Sequence, residues 1–234
     1  MAATRIVFPI YNGVDILDIC GPFAFFSSQS AAGLEPILAS DTGKSVTTVQ
    51  GIEINAQSTL KKVSGAEVIW VPGGFGDNYF NQFKKGNPLI AWLSAEAKTA
   101  DLFCTVCTGA HIAAAAGALD GYTVTTHWLF QKQLLSFPNI TLTSGFPRYW
   151  VDRNRVTGGG ISSGLDEALA VIAMLLNNDA AQQAQLLNQY APDPPFNSGS
   201  PVTAPPKVLK EFFDANMDDQ TDLQNAINKF LAGK

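Results

Sequence analysis

Histidine is nearly absent from this chain of 234 residues: His111 and His127 are its two. A zinc centre would be short of ligands, because it needs about four convergent donors, and no metal or cofactor is expected. Cysteine is scarce as well. Cys20, Cys104 and Cys107 make an odd, small set that argues against a secreted disulfide framework. Lys and Arg form no basic stripe, and 15 basic against 20 acidic residues leave a net charge of −5. Nucleic acid is therefore not an expected partner. No apolar run is long enough to cross a bilayer, so no membrane association is expected. The first residues lead straight into a strand-like apolar segment, with no basic region and cleavage site, and no signal peptide is expected. The expectation is a soluble protein of a reducing compartment, the cytoplasm.

What is present is a globular composition, 46% hydrophobic and 15% charged. One domain over residues 1–234 is expected from the length. There is no internal repeat. Apolar β-rich runs alternate with helical patterns, which predicts an α/β fold with a mostly parallel sheet covered on both faces. Strands are expected at Ile6–Tyr11, Pro36–Ala39, Val68–Val71, Leu102–Val106 and Arg155–Thr157, and a hairpin over Val46–Val49 and Ile52–Asn55. Helices are expected at Pro22–Gln29, Pro88–Lys98, Thr108–Ala116 and Leu165–Leu176, with Pro22 and Pro88 in first turns. The Pro-, Ser- and Gly-rich segment Ala191–Pro206 reads as an extended strap anchored by Tyr190 and Phe196. A closing amphipathic helix follows from about Lys207.

The run Val106-Cys107-Thr108-Gly109-Ala110-His111 carries the chemistry. An apolar strand ends abruptly at Cys107, and small residues open a helix. Such a turn holds its central side chain up and exposed, with Gly109 making room, and this is the mechanics of a nucleophile elbow. The adjoining helix N-terminus favours a thiolate. The bland alternative is that Cys107 is a small buried hydrophobe. Cys104 and Cys107 form a C-x-x-C, but strand alternation turns Cys104 away, so it reads as core.

An acid or base partner is needed. His111 reads as a hydrogen-bonded structural residue, whereas His127 stays open between base and structural roles. Asp15 and Asp18 follow the first strand, at the sheet edge where parallel-sheet ligands bind. Either could be the acid, and either could be a helix N-cap. In Val71-Pro72-Gly73-Gly74-Phe75-Gly76, the N–H groups at Gly73 and Gly74, with that of Thr108, could polarise a substrate atom. Phe25, Phe75 and Trp128 read as core packing, with pocket lining as the alternative.

These elements resemble the DJ-1/PfpI superfamily and, within it, the isocyanide (isonitrile) hydratases. The motifs are Asp18-Ile19-Cys20-Gly21-Pro22, Val71-Pro72-Gly73-Gly74, Val106-Cys107-Thr108-Gly109, Thr125-Thr126-His127-Trp128 and Thr157–Asp166. The tail Gln189–Pro201 adds to them. The resemblance implies a flavodoxin-like three-layer sandwich, a homodimer, a Cys107 nucleophile, an acidic partner at Asp18 and a role for Thr108. Histidine follows the cysteine in the protease-like branch; Thr108 does so here, which argues against peptidase activity. Cys20 stands where threonine is common and reads as filler rather than as an oxidative partner. The implied reaction is hydration of an isocyanide to an N-substituted formamide through a cysteine thioimidate, without cofactor. Glyoxalase- or deglycase-like chemistry on methylglyoxal, and redox sensing through Cys107, are the alternatives.

Overall fold

The computed structural model describes residues 3–233. In chain order, the first half contains β1 (Thr4–Pro9), α1 (Ile16–Ser27), β2 (Leu34–Ser40), β3 (Val46–Thr47), β4 (Glu53–Ile54), β5 (Ser58–Thr59), β6 (Val68–Val71), α2 (Gly76–Phe80) and α3 (Pro88–Glu96). The second half contains β7 (Leu102–Thr105), α4 (Gly109–Ala115), β8 (Thr123–Val124), α5 (Gln131–Leu134), β9 (Thr141–Leu142), β10 (Tyr149–Asp152), β11 (Arg155–Gly158), α6 (Ser163–Leu175), α7 (Asn178–Leu187), α8 (Pro206–Ala215) and α9 (Met217–Ala232).

The main sheet has the order β10-β11-β7-β6-β1-β2-β5. All its pairings are parallel except that of the edge strand β10 with β11. Helices α1, α6 and α7 pack together on one face, and α3, α4, α5 and α9 form the other layer. This is the expected flavodoxin-like sandwich. The central strands β6 and β7 are buried along their whole length, which explains why they read as continuous apolar runs rather than alternating ones. The hairpin forms as β3 against β4, shorter than expected.

Several expectations are corrected. Helix α1 starts six residues before Pro22, which lies inside it. Asp15 makes the earlier start possible by capping the Leu17 N–H at 2.9 Å. The closing helix is two helices, broken at Asn216. Helix α8 buries no residue, while α9 seats Leu223, Ile227 and Phe230 in the core. The strap has no regular structure, and of its two expected anchors only Tyr190 is seated. Tyr190 packs edge-on against Phe25 and donates its hydroxyl to Asp166 at 2.7 Å. Phe196 is 79% exposed. Cys104 is buried in β7, whereas Cys20 is exposed on α1 and fills nothing.

Candidate active site

The carboxyl ends of β1, β6, β7 and β11 meet at one edge of the sheet, and each delivers a segment to Cys107. Strand β7 is extended by Val106, whose N–H reaches Val71 O at 3.0 Å. Cys107 then adopts φ 56°, the left-handed region, which costs a residue with a Cβ about 1–2 kcal/mol. Its surroundings hold it there: its N–H donates to Gly159 O at 2.8 Å, and its carbonyl accepts from the Thr126 hydroxyl at 2.8 Å. Residues strained in this way and held from both sides cluster at functional sites. Glycine is required at 109, because a Cβ there would lie 2.2 Å from Val71 O.

Asp18 sits in the first turn of α1 and is fully buried. Its Oδ2 accepts the Gly73 N–H at 2.8 Å. Its Oδ1 has no hydrogen-bond partner among the described residues. The Thr108 hydroxyl accepts from Gly74 N–H and donates to Gly74 O, both at 2.8 Å. A Cβ on Gly73 would touch Asp18 Oδ2, Thr108 N and Thr108 Oγ1, all within 2.9 Å. Asp18, Thr108 and the Gly73-Gly74 loop therefore border one small space. The Gly73 and Gly74 N–H groups do not lie free for a substrate atom here; they hold the carboxyl and the threonine. Asp15 is separated from this role: it caps α1 and accepts from Gln50 Nε2 at 2.7 Å.

The electrostatics differ from a simple thiolate elbow. Cys107 is fully buried rather than exposed. Burial pushes its thiol well above 9.0, the negative charge of Asp18 pushes the same way, and the Thr108 N–H opposes both. Desolvation of the charged form thus outweighs the helix N-terminus. Burial also raises Asp18 well above 3.8, with Asp15 adding to the effect and the Gly73 hydrogen bond opposing it. Burial therefore favours the protonated form of both groups, the Cys107 thiol and the Asp18 carboxyl.

Both histidines hold backbone groups in this arrangement. His111 is fully buried, with its ring nitrogens on the carbonyls of Phe130 at 3.0 Å and Thr108 at 3.3 Å. His127 accepts the Leu129 N–H at 3.2 Å through Nδ1 and stacks on Trp128. Burial lowers each to about 4, so both are neutral near pH 7. Gly160 backs onto the His127 ring, and Phe75 meets that ring edge-on. Phe25 is buried against Tyr190, outside this group.

The sequence reading did not identify two buried tyrosines. Tyr11 donates to Pro72 O at 2.7 Å and Tyr79 to Thr108 O at 2.9 Å, and together they brace both loops. Tyr11 carried a positional signal, lying just past the first strand at the ligand-binding edge. Tyr79 carried none, because its partner is 29 residues away.

Comparison with known proteins places the chain in a family. Residues 4–174 match the DJ-1/PfpI family. The chain is 34% identical to an isonitrile hydratase of Pseudomonas putida over 209 residues, covering 89% of this chain and 88% of that one. A solved THiJ/PfpI family protein from Pseudomonas syringae superposes with a TM-score of 0.89 at 31% identity, covering 97% of this chain and 91% of its own. DJ-1beta of Drosophila melanogaster shares the fold, with a TM-score of 0.69 at 18% identity, over 82% of this chain and 100% of that one. The chain belongs to the DJ-1/PfpI family.

Proposed function

We propose that the protein is an isocyanide hydratase, a hydro-lyase that adds water to an isocyanide to give an N-substituted formamide. One observation carries the reading: Asp18 Oδ1 is buried without a hydrogen-bond partner among the described residues, and its carboxyl acts electrostatically on the buried thiol of Cys107. A carboxyl so placed can deliver and recover a proton at a substrate atom held against the sulfur. The 34% identity to the Pseudomonas putida isonitrile hydratase supports the same chemistry.

Cys107 Sγ bonds to the terminal carbon of the isocyanide. Asp18 gives its proton to that carbon and receives the thiol proton, leaving a thioimidate. Water then adds to the thioimidate carbon, with Asp18 taking a proton from the water and returning one to nitrogen. Asp18 then takes the hydroxyl proton and gives one to sulfur as the C–S bond breaks, so that the formamide leaves and the thiol is restored. Raised proton affinities on both groups suit this cycle, because neither need hold a charge in a dry site at rest. Thr108 presents its N–H to the sulfur and supports it as charge develops there. Gly73 and Gly74 orient the acid and the threonine, and His127 forms a neutral wall. The enzyme needs no cofactor in this scheme.

The protein is further proposed to be a cytoplasmic homodimer. Tyr149, Trp150 and Val151 on β10, and Phe212 and Phe213 on α8, leave apolar surface exposed that a second copy would cover.

Incubation with an aryl isocyanide, with Cys107→Ala alongside, tests the function. The N-aryl formamide forms only with the wild type, and a trapped adduct is found by mass on Cys107. Formation by Cys107→Ala would end the covalent scheme. Lactate from methylglyoxal, with no formamide, would favour the glyoxalase reading.

A further inference from the structure

Glu167 takes no part in this chemistry, yet it is buried as completely as Cys107. It lies on the sheet-facing side of α6 with Ser163, Gly164, Ala168 and Val171. Neither of its carboxyl oxygens has a hydrogen-bond partner among the described residues, and neither does Ser163 Oγ one turn earlier. Its carboxyl packs on Gly158: a Cβ added there would fall 2.2 Å from Glu167 Oε2 and 3.2 Å from Ser163 Oγ. Three unpartnered polar atoms therefore meet beside one glycine. Each unpartnered buried polar group destabilises the fold. A leucine would suit this helix face without that cost.

The backbone that Glu167 touches is the one that holds the nucleophile. Gly158 ends β11, Gly159 O accepts the Cys107 N–H at 2.8 Å, and Gly160 lies against His127. Burial pushes Glu167 well above 4.5, and the charge of Asp18 acts in the same direction. From β7, the thiol of Cys104 faces it electrostatically, and Arg155 of β11 lies near that thiol. Burial thus favours the protonated Glu167 carboxyl, which can both donate and accept.

We propose that the Glu167 carboxyl and Ser163 together hold one internal water beside Gly158. This bonded knot positions the Gly158–Gly160 loop and, through Gly159, the backbone of Cys107. A buried water characteristically joins about three otherwise unpartnered groups, and three are present. The role concerns placement of the nucleophile, and it rests on the hydratase reading only where turnover is measured.

The test uses Glu167→Leu and Glu167→Gln in the full chain. It reads thermal stability, the rate and pH profile of Cys107 alkylation by iodoacetamide, and isocyanide turnover. Glu167→Leu is expected to be at least as stable as the wild type, with a displaced alkylation profile and turnover lowered about tenfold, the order of loss that slight misplacement produces. Glu167→Gln keeps a neutral donor and acceptor and is expected to stay within about threefold of wild type in both rates. An unchanged alkylation profile in Glu167→Leu would overturn the proposal, as would equal damage in Glu167→Gln. If Glu167→Leu fails to fold, Ser163→Ala removes one partner of the water: a displaced profile supports the proposal and a wild-type profile overturns it. Alkylation needs no substrate, so its outcome stands even if isocyanide is not hydrated.

Discussion

The indole N–H of Trp70 donates to the backbone carbonyl of Asp18 across 3.1 Å. That carbonyl lacks its helical partner because Pro22, four residues on, has no N–H. Both Trp70 and Asp18 are fully buried. A proline inside α1 is thus accommodated by a side chain from β6, and the exchange ties the acid of the site to the central sheet. Trp70→Phe is expected to lose about 1–3 kcal/mol, chiefly from the orphaned carbonyl. In a Pro22→Ala background, where residue 22 regains an N–H, the same change is expected to cost about 0.5–1.5 kcal/mol less. Urea denaturation of the four proteins measures this coupling, and strict additivity would argue against the exchange.

Asp18→Asn keeps an oxygen for the Gly73 N–H and should fold normally. It removes the proposed proton carrier, so turnover is expected to fall by about 10²–10⁴-fold. It also removes one of the influences that raise the Cys107 thiol. The alkylation profile of Cys107 should therefore move to lower pH. Steady-state kinetics and an alkylation series check the two halves separately.

His127 is neutral near pH 7, since burial lowers it to about 4. Neither histidine should contribute a limb near pH 6.5 to the activity profile. His127→Asn offers an oxygen to the Leu129 N–H and should stay close to wild type in stability. His127→Ala is expected to lose about 1 kcal/mol, the usual worth of a cap. Thermal melts and a pH–rate profile of both variants decide this.

The pH dependence of stability at Glu167 has a definite sign. Its folded proton affinity is raised above the ordinary 4.5, so its favourable contribution is complete below about pH 4.5. That contribution is lost as pH rises toward the folded value. Glu167→Gln does not titrate. Its melting temperature relative to wild type should therefore climb as pH rises above about 4.5. A constant difference from pH 4 to pH 8 would show that the folded proton affinity of Glu167 is not raised.

Gly109→Ala would place a methyl 2.2 Å from Val71 O and 2.9 Å from Pro72 C. Backbone on both sides cannot yield cheaply, and the expected cost is about 1–3 kcal/mol or more. Loss of Cys107 alkylation selectivity should accompany the destabilisation. A folded variant with wild-type alkylation would show that the elbow is less confined than its contacts imply.

The sequence by itself determined the layers and the elbow. Continuous apolar runs at β6 and β7 can be satisfied only between two helical layers, and Cys107-Thr108-Gly109 after such a run leaves few alternatives to a sharp strand–helix turn. It also brought Asp15 and Asp18 to the correct edge of the sheet. Tertiary structure decided between them: Asp15 met the free N–H of Leu17 and Asp18 met that of Gly73, a partner 55 residues away. It also reversed the expected ease of ionising Cys107, because burial depends on everything packed around the sulfur, whereas the helix N-terminus beside it is local. Glu167 was not singled out in the sequence for the same reason: a charged residue on a helix reads as solvent-facing until the sheet that covers it is known.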